Sequence, residues 1–353
     1  MLEELTRQLT AIRPLADEQV LRAVEQLTDE QIPAAVKADF LTALAQKGET
    51  PAEIAAFARA LRDKSIPPPL DAKTRSREIL DVVGTGGDRL STFNISTTVA
   101  ILCAAAGVTV AKHGNRAVTS SVGSADVVEE LGIKIDLSPA DAARSLREHD
   151  FAFFFAPNFH PAFKNIAPAR KLCAERGQRT IFNILGPLLN PVRPSASLVG
   201  VPRPELCEPM AHALQSLGVR RGMVVCGSVS PRSTVHSPQP KFLDELSILG
   251  ENTIAEFYQE RGFATSILSL EQFPVQRAEL AALRGGDKFV NAEIIRRILR
   301  GDERGPKRDA VLLNAGAALF VADKVKSLTA GWNLAAATID SGKAATKLAE
   351  LAR

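Results

Sequence analysis

From Leu2 to about Asp63, Ala and Leu recur at three- and four-residue spacing, the period that turns one face of a helix toward a core. In "TPAEIAAFARAL", Thr50 stands before Pro51, a start signal in which a hydroxyl takes up free N–H groups and proline fits the first turn. The run "SIPPPLDAKTRS" ends this regime and reads as a linker. Beyond Ser76 the period shortens: the apolar runs "EILDVV", "VTVAK", "FAFFFAP", "ASLVGV" and "GMVVC" alternate with the helical patterns "SADVVEELG", "PADAARSLREH" and "PELCEPMAHALQSLG". Such alternation predicts a parallel sheet covered by helices on both faces. Between about Asn165 and Pro194 the chain is first helical and then rich in Gly and Pro ("ILGPLLNPVRP"), which breaks the alternation and reads as an excursion to the helical unit or onto a ligand. From Ala292 to Arg353 the pattern is helical again, with no internal repeat.

Composition narrows this little. The chain has 353 residues, 45% apolar and 24% charged, an ordinary globular balance with material for two or three domains. A formal charge of +3, with Lys and Arg dispersed among Asp and Glu, is compatible with an anionic ligand and gives no argument for nucleic acid. Cys103, Cys173, Cys207 and Cys226 form no CxxC pair and read as reduced structural thiols. The start "MLEELTRQLT" does not have the pattern of a signal peptide, and the apolar run Thr97 to Ala111 falls short of the roughly 20 residues a membrane span needs. A cytoplasmic location without membrane contact is the expectation.

Candidate chemistry gathers in three stretches. In "DVVGTGGDRLSTFNIST", Asp81 to Val83 read as a strand end and Asn94 to Gly107 as a helix, so the loop between them presents Gly84, Gly86 and Gly87 beside a helix N-terminus. Glycine backbone and free helical N–H groups favour an anion such as phosphate. Asp88, Ser91, Thr92, Asn94, Ser96 and Thr97 add side-chain oxygens suited to sugar hydroxyls or a hard cation. A tight strand-to-helix turn without a ligand is the alternative at this point. In "KHGNRAVTSSVGS", Lys112 and Arg116 supply positive charge among the hydrogen-bonding side chains of His113, Asn115, Thr119, Ser120, Ser121 and Ser124, either a second phosphate grip or a solvated polar loop. In "KFLDELSILGENT", Asp244 and Glu245 lie between Leu243 and Leu246; two neighbouring carboxylates in an apolar run need compensation, for which Mg²⁺ is suited, unless they mark a turn or helix start.

Together these stretches resemble the anthranilate phosphoribosyltransferase family. "GTGGD", "NIST", "KHGNRAVTSSVGSADVVEELG", "HPAFKNIAPARK", "RTIFNILGPLLNP", "LDELS" and "NAGAALFVADKV…SGKA" follow the family's order over nearly the whole chain. The resemblance implies a nucleoside phosphorylase-like fold, with a small all-helical domain (1–70 plus about 165–195) and a larger α/β domain with a mostly parallel sheet (71–164 plus 196–353). It implies transfer of 5-phosphoribose from phosphoribosyl pyrophosphate to the amine of anthranilate, two Mg²⁺ ions per site and a homodimer. It places phosphoribosyl pyrophosphate on Gly84, Gly87, Asp88, Thr92, Asn94, Ile95, Ser96 and Thr97, and on Lys112, His113, Gly114, Asn115, Arg116, Ala117, Val118, Thr119, Ser120 and Ser124. Anthranilate falls to Gly84, Asn115, His160 and Arg170, with Gly186 and Pro187 lining the same tunnel, and metal to Ser96, Asp244 and Glu245. No residue is assigned as acid or base. The chain departs from the family in "CAERG" between Arg170 and Arg179, in the long "SVSPRSTVHSPQPK", and in Phe242 where glycine is common. The rival readings are a pyrimidine nucleoside phosphorylase-like enzyme and a noncatalytic relative that binds nucleic acid; against the latter stand the near-neutral charge and a single Trp and Tyr.

Overall fold

The computed structural model describes residues 1–117, 122–229, 241–258 and 262–353. Helices α1 (Leu2–Thr10), α2 (Asp17–Thr28), α3 (Ala34–Lys47) and α4 (Pro51–Asp63) open the chain, and their stripes (Leu9, Val20, Val24, Phe40, Leu44, Phe57, Leu61) bury into one core. The Thr50 signal starts α4: Thr50 Oγ1 accepts the Glu53 N–H at 3.2 Å, and the Glu53 carboxylate accepts the Thr50 N–H at 2.9 Å. Glu53 is buried and also takes the Leu15 N–H at 2.9 Å and Lys47 Nζ at 2.7 Å, so it pins α4 to the α1–α2 turn. One helical turn, α5 (Ala72–Arg75), lies within the proline-rich stretch read as a linker.

The second part interleaves β1 (Ile79–Gly84), α6 (Ile95–Ala105), β2 (Thr109–Gly114), α7 (Ser124–Glu130), α8 (Pro139–His149) and β3 (Phe151–Phe155). The excursion follows, with α9 (Ala156–Phe159), α10 (Ala167–Glu175) and α11 (Phe182–Leu185). The chain then returns to β4 (Ala196–Gly200), α12 (Cys207–Ser216), β5 (Arg221–Ser228), β6 (Phe242–Leu243), β7 (Asn252–Tyr258) and β8 (Gly262–Leu268), and closes with α13 (Lys288–Arg300), α14 (Pro306–Val321), α15 (Leu328–Asp340) and α16 (Lys343–Leu351).

The strand order is β3-β2-β1-β4-β5-β7-β8. Strands β1 to β5 pair in parallel, whereas β6 and β7 pair antiparallel with β5, and β8 antiparallel with β7. The β7–β8 ribbon has no counterpart in the sequence reading, because β8 is a largely exposed edge without apolar alternation.

Alternation sorts the strands onto two faces. Leu80, Val82, Val110, Phe153, Leu198 and Met223 pack with α6 and α13 to α15, whereas Val199, Val201, Val224 and Phe257 share a core with the helical bundle. Ile166, Ala169 and Cys173 of the excursion belong to that same bundle core. Because β1 is flanked by β2 on one side and β4 on the other, the connections leave in opposite directions and open a crevice at the carboxyl ends of β1 and β4.

Candidate active site

The acidic segment lies across that crevice. A Cβ placed on Gly200, at the end of β4, would fall 1.6 Å from the Asp244 carbonyl oxygen; on Gly84, at the end of β1, it would fall 3.0 Å from Asp244 Oδ2. On Gly227, in β5, it would meet the Glu245 carbonyl at 2.6 Å. Glycine at these strand ends is what lets the chain at 244–245 cross the sheet so closely. Asn314 of α14 clamps the next residue from behind, donating to the Leu246 carbonyl at 2.8 Å and accepting its N–H at 2.9 Å.

The cradle closes on these acids. Asp244 Oδ2 accepts the Gly86 N–H at 2.5 Å and the Thr85 hydroxyl at 3.1 Å, and Glu245 Oε1 accepts the Ser96 N–H of the first turn of α6 at 3.1 Å. The carboxylates are 7% and 9% exposed, and Asp88 adjoins Asp244. Burial first, and then the neighbouring carboxylates, push Asp244 and Glu245 well above the usual carboxylate range; Lys112 offsets part of this for Glu245. Loop and helix N–H groups thus hold protein carboxylates, which would repel an approaching phosphate. A divalent cation between acid and phosphate reverses that sign, and the donor set is all hard oxygen. Among the described residues no group of three or more His, Cys, Asp or Glu has metal-cage spacing. The two buried carboxylates, with oxygen as their donor atoms, fit Mg²⁺, which takes one or two carboxylates and fills its shell with phosphate oxygens and water.

The two cations counted in the second stretch are both engaged. Lys112 is 1% exposed, with Nζ donating to the Val82 carbonyl at 2.7 Å and reaching Ser96 Oγ at 3.5 Å. It sits between Asp81 and Glu245, whose charges raise its pKa against a larger lowering by burial. Arg116 turns onto α7, donating to Asp126 at 2.9 Å and Glu129 at 3.0 Å, with its guanidinium over the Phe155 ring. Both amides of the loop ends, Ala117 and Gly123, donate to the other Asp126 oxygen at 3.2 and 3.0 Å. Asn115 takes the Ser124 hydroxyl and the Ala125 N–H on its carbonyl. Gly114 ends β2.

In the first stretch, Asn94 precedes α6 and accepts from Asn291 of α13 at 3.0 Å, Ile95 is buried, and the buried Thr97 hydroxyl has no partner among the described residues. Thr92 bridges to Arg284, Asp88 accepts the Leu90 N–H at 3.0 Å, and Gly87 abuts Pro202. Val118, Thr119 and Ser120 lie outside the described residues, as does most of the long stretch before Lys241.

On the opposite face of β2, His113 packs edge-on to His160 at 5.2 Å; His160 meets Phe163 at 5.1 Å, Phe163 meets Phe182 at 5.8 Å, and the Arg170 guanidinium lies 5.4 Å from the Phe182 centroid. This chain of contacts runs from the sheet to α10. Burial holds both imidazoles neutral, lowering His113 to about 3 and His160 to about 4. The excursion's backbone at Gly186 and at Leu189 offsets a small part of the lowering for His113 and His160 respectively, and Nε2 of each ring is buried without a partner among the described residues. Arg170 is half-buried and forms no ion pair among the described residues. "CAERG" does not loop outward: it completes α10 and its turn, with Cys173 buried against the Ala38 carbonyl at 3.5 Å and Arg176 paired to Asp39 at 3.0 Å. Arg179 is exposed.

Thr85, Gly200, Asn190, Asn291 and the carboxylate of Asp81 also shape this region, and no local sequence pattern marks them. Their contacts reach partners distant in sequence, with Thr85 inside "GTGGD" and Asn190 inside "ILGPLLNP".

Comparison with known proteins agrees with this architecture. A model described as "Glycosyl transferase family, helical bundle domain" matches residues 3–65, and one described as "Glycosyl transferase family, a/b domain" matches 76–345. The class is thus a two-part glycosyl transferase. The anthranilate phosphoribosyltransferase of Petrotoga mobilis is 44% identical over 337 residues, covering 96% of this chain and 92% of its own. The crystal structure of the Thermus thermophilus anthranilate phosphoribosyltransferase superposes with a TM-score of 0.86 at 40% identity, covering 99% and 98% of the two chains. The Saccharomyces cerevisiae enzyme, in complex with PRPP and Mg, gives 0.82 at 26% identity over 99% and 96%, and it has also been solved with 4-fluoroanthranilate. The chain belongs to the anthranilate phosphoribosyltransferase family.

Proposed function

We infer that this chain transfers 5-phosphoribose from phosphoribosyl pyrophosphate to the amine of anthranilate, releasing pyrophosphate, as a Mg²⁺-dependent enzyme of tryptophan biosynthesis. The observation that carries the reading is the acidic segment seated on glycine strand ends beside the N-terminus of α6, with a cluster of histidines, aromatic rings and Arg170 on the other face of β2. Mg²⁺, held by Asp244, Glu245 and Ser96, would supply charge neutralisation for the leaving pyrophosphate. The cradle at Gly84, Gly87, Asp88, Thr92 and Asn94 to Thr97 orients the sugar phosphate, and Lys112 acts from beneath as the fixed charge beside Glu245. Two ions per site are part of the same reading, with Asp244 and Glu245 as the separate carboxylates that would hold them.

An aromatic amine is unprotonated near neutral pH, so its attack needs orientation more than a strong base. The neutral imidazoles of His113 and His160 stand beside this cluster, and Arg170 offers a fork for the carboxylate. The helical domain is read as 1–70 with about 165–195, resting on the shared core of α1–α4 and α10. A homodimer and a cytoplasmic location are part of the same reading. Four buried free thiols accord with a reducing compartment, and no helix among the described residues is long and apolar enough to cross a membrane.

Anthranilate fluorescence tests the reading directly. Consumption is expected only with phosphoribosyl pyrophosphate and Mg²⁺, stopping in EDTA and returning when Mg²⁺ is restored; full turnover in EDTA refutes the metal assignment.

A second expectation separates the two candidate arginines. Arg170→Ala should raise the KM for anthranilate on the order of tenfold, with little change for phosphoribosyl pyrophosphate, because a charge-assisted pair contributes about 1.5–3 kcal/mol. Arg179→Ala should leave both constants near wild type. A selective effect from Arg179→Ala alone would transfer the carboxylate contact to that residue.

A further inference from the structure

The loop between β1 and α6 is tied by its backbone to the segment before α13: Gly285 N–H donates to the Ser91 carbonyl at 3.0 Å and Phe93 N–H to the Leu283 carbonyl at 3.1 Å, which sets Thr92 opposite Arg284. The two segments lie close. A Cβ on Gly285 would fall 2.4 Å from Asn291 Oδ1 and 2.9 Å from Phe93 Cα. Asn291, in the first turn of α13 and 2% exposed, spans the junction: its Oδ1 accepts the Gly286 N–H at 2.8 Å and its Nδ2 donates to Asn94 Oδ1 at 3.0 Å. A backbone N–H can only donate, so the atom of Asn291 that meets Gly286 is oxygen and the one that meets Asn94 is nitrogen. Asn94 must then turn its own oxygen toward Asn291. Its main-chain carbonyl is already taken by the Thr98 N–H at 3.1 Å and the Thr98 hydroxyl at 2.9 Å. Asn94 Nδ2 has no partner among the described residues, and it belongs to the residue two positions before Ser96, whose N–H holds Glu245.

We propose that Asn291 is a positioning residue for the phosphoribosyl donor: by holding the Asn94 amide in one of its two orientations, it commits Asn94 Nδ2 to donate to an anionic oxygen of phosphoribosyl pyrophosphate. This role rests on the cradle binding the sugar phosphate, as read above. Turned by half a rotation, Asn94 would set its NH2 against that of Asn291 and present a carbonyl oxygen to phosphate, so the polarity fixed at the Gly286 N–H decides which atom the substrate meets. Asn291 itself touches no substrate. A purely structural Asn291 would lower stability, and its effect on the donor would not depend on Asn94.

The test is a double-mutant cycle on the full-length protein, read by calorimetric titration with phosphoribosyl pyrophosphate and Mg²⁺ beside steady-state kinetics. Asn291→Asp keeps the side chain's shape and its bond to Gly286 but turns the second arm from donor to acceptor, so Asn94 should flip. The Kd and KM for phosphoribosyl pyrophosphate are expected to rise about tenfold or more, as for a lost hydrogen bond to a charged group, with the KM for anthranilate within about twofold. The cycle controls for the added negative charge: in an Asn94→Ala background, the same substitution should raise the Kd by no more than about threefold. A second readout needs no change at Asn291. The Asn94 side-chain NH2 resonance, assigned by its loss in Asn94→Ala, should move when phosphoribosyl pyrophosphate and Mg²⁺ bind. An unmoved resonance, an unchanged Kd in folded Asn291→Asp, or an increase that persists in full without the Asn94 amide overturns the proposal. If Asn291→Asp does not fold, the same cycle with Asn291→Ala and the NH2 resonance decide it. No binding of phosphoribosyl pyrophosphate to the wild type, or wild-type affinity in Asn94→Ala, would overturn the reading of the cradle instead.

Discussion

Replacing Asp244 by Asn together with Glu245 by Gln is expected to lower kcat about a thousandfold, since metal neutralisation of a leaving group supplies several kcal/mol. The same change should raise the Tm of the metal-free protein. Both carboxyls are buried, and burial and mutual repulsion lift their folded-state pKa above the unfolded value. A raised carboxyl binds its proton more tightly in the folded state, so stability falls as pH rises through the unfolded pKa toward the folded one. The amides have no such cost. The gain in Tm should therefore be largest at alkaline pH and shrink toward pH 4. Thermal melts in EDTA across that range, repeated with Mg²⁺, separate the two effects: wild type should gain Tm from the ion and the variant should not. Turnover near wild type, or an equal Mg²⁺ shift in both proteins, would remove these residues from the metal site.

That prediction was open to sequence reading because an acidic pair between leucines is a local anomaly. The phosphate-type cradle was legible for the same reason: three glycines and a cluster of hydroxyl side chains lie within seventeen residues of chain. Charge was harder to read. Lys112 and Arg116 looked like free cations until the fold supplied Val82, Asp126 and Glu129, the last two more than nine residues further on in another element. The helical bundle and parallel strands followed from apolar period, whereas the β7–β8 ribbon carries too little alternation to announce itself. "CAERG" departs from the family pattern close to Arg170, yet it forms the end of α10 and its turn, with Cys173 packed into the bundle core and Arg170 beside Phe182. The least legible residues are those that act by absence or by distance. Asn190 reaches a carboxylate more than a hundred positions away, and Gly200 matters for the side chain it lacks.

Gly200→Ala turns that last point into a measurement. The added Cβ would fall 1.6 Å from the Asp244 carbonyl oxygen, and neither partner is a flexible side-chain tip: one is strand backbone, the other a segment clamped by Asn314. Reaching ordinary contact requires a shift of roughly 2 Å, and displacement on that scale costs on the order of a hundredfold or more in an oriented site. The expected result is a kcat lowered about a hundredfold with a higher Mg²⁺ requirement, while the acceptor pocket on the other face of β2 keeps the KM for anthranilate within about twofold. Overpacking should also cost about 1–3 kcal/mol of stability, read as a lower Tm. Activity measured against Mg²⁺ concentration distinguishes a displaced metal site from a merely weakened fold, because only the former moves the Mg²⁺ midpoint. A variant with wild-type turnover and midpoint would show that the acidic segment can lift from the strand ends without consequence, and the sheet end would then not be what places the metal.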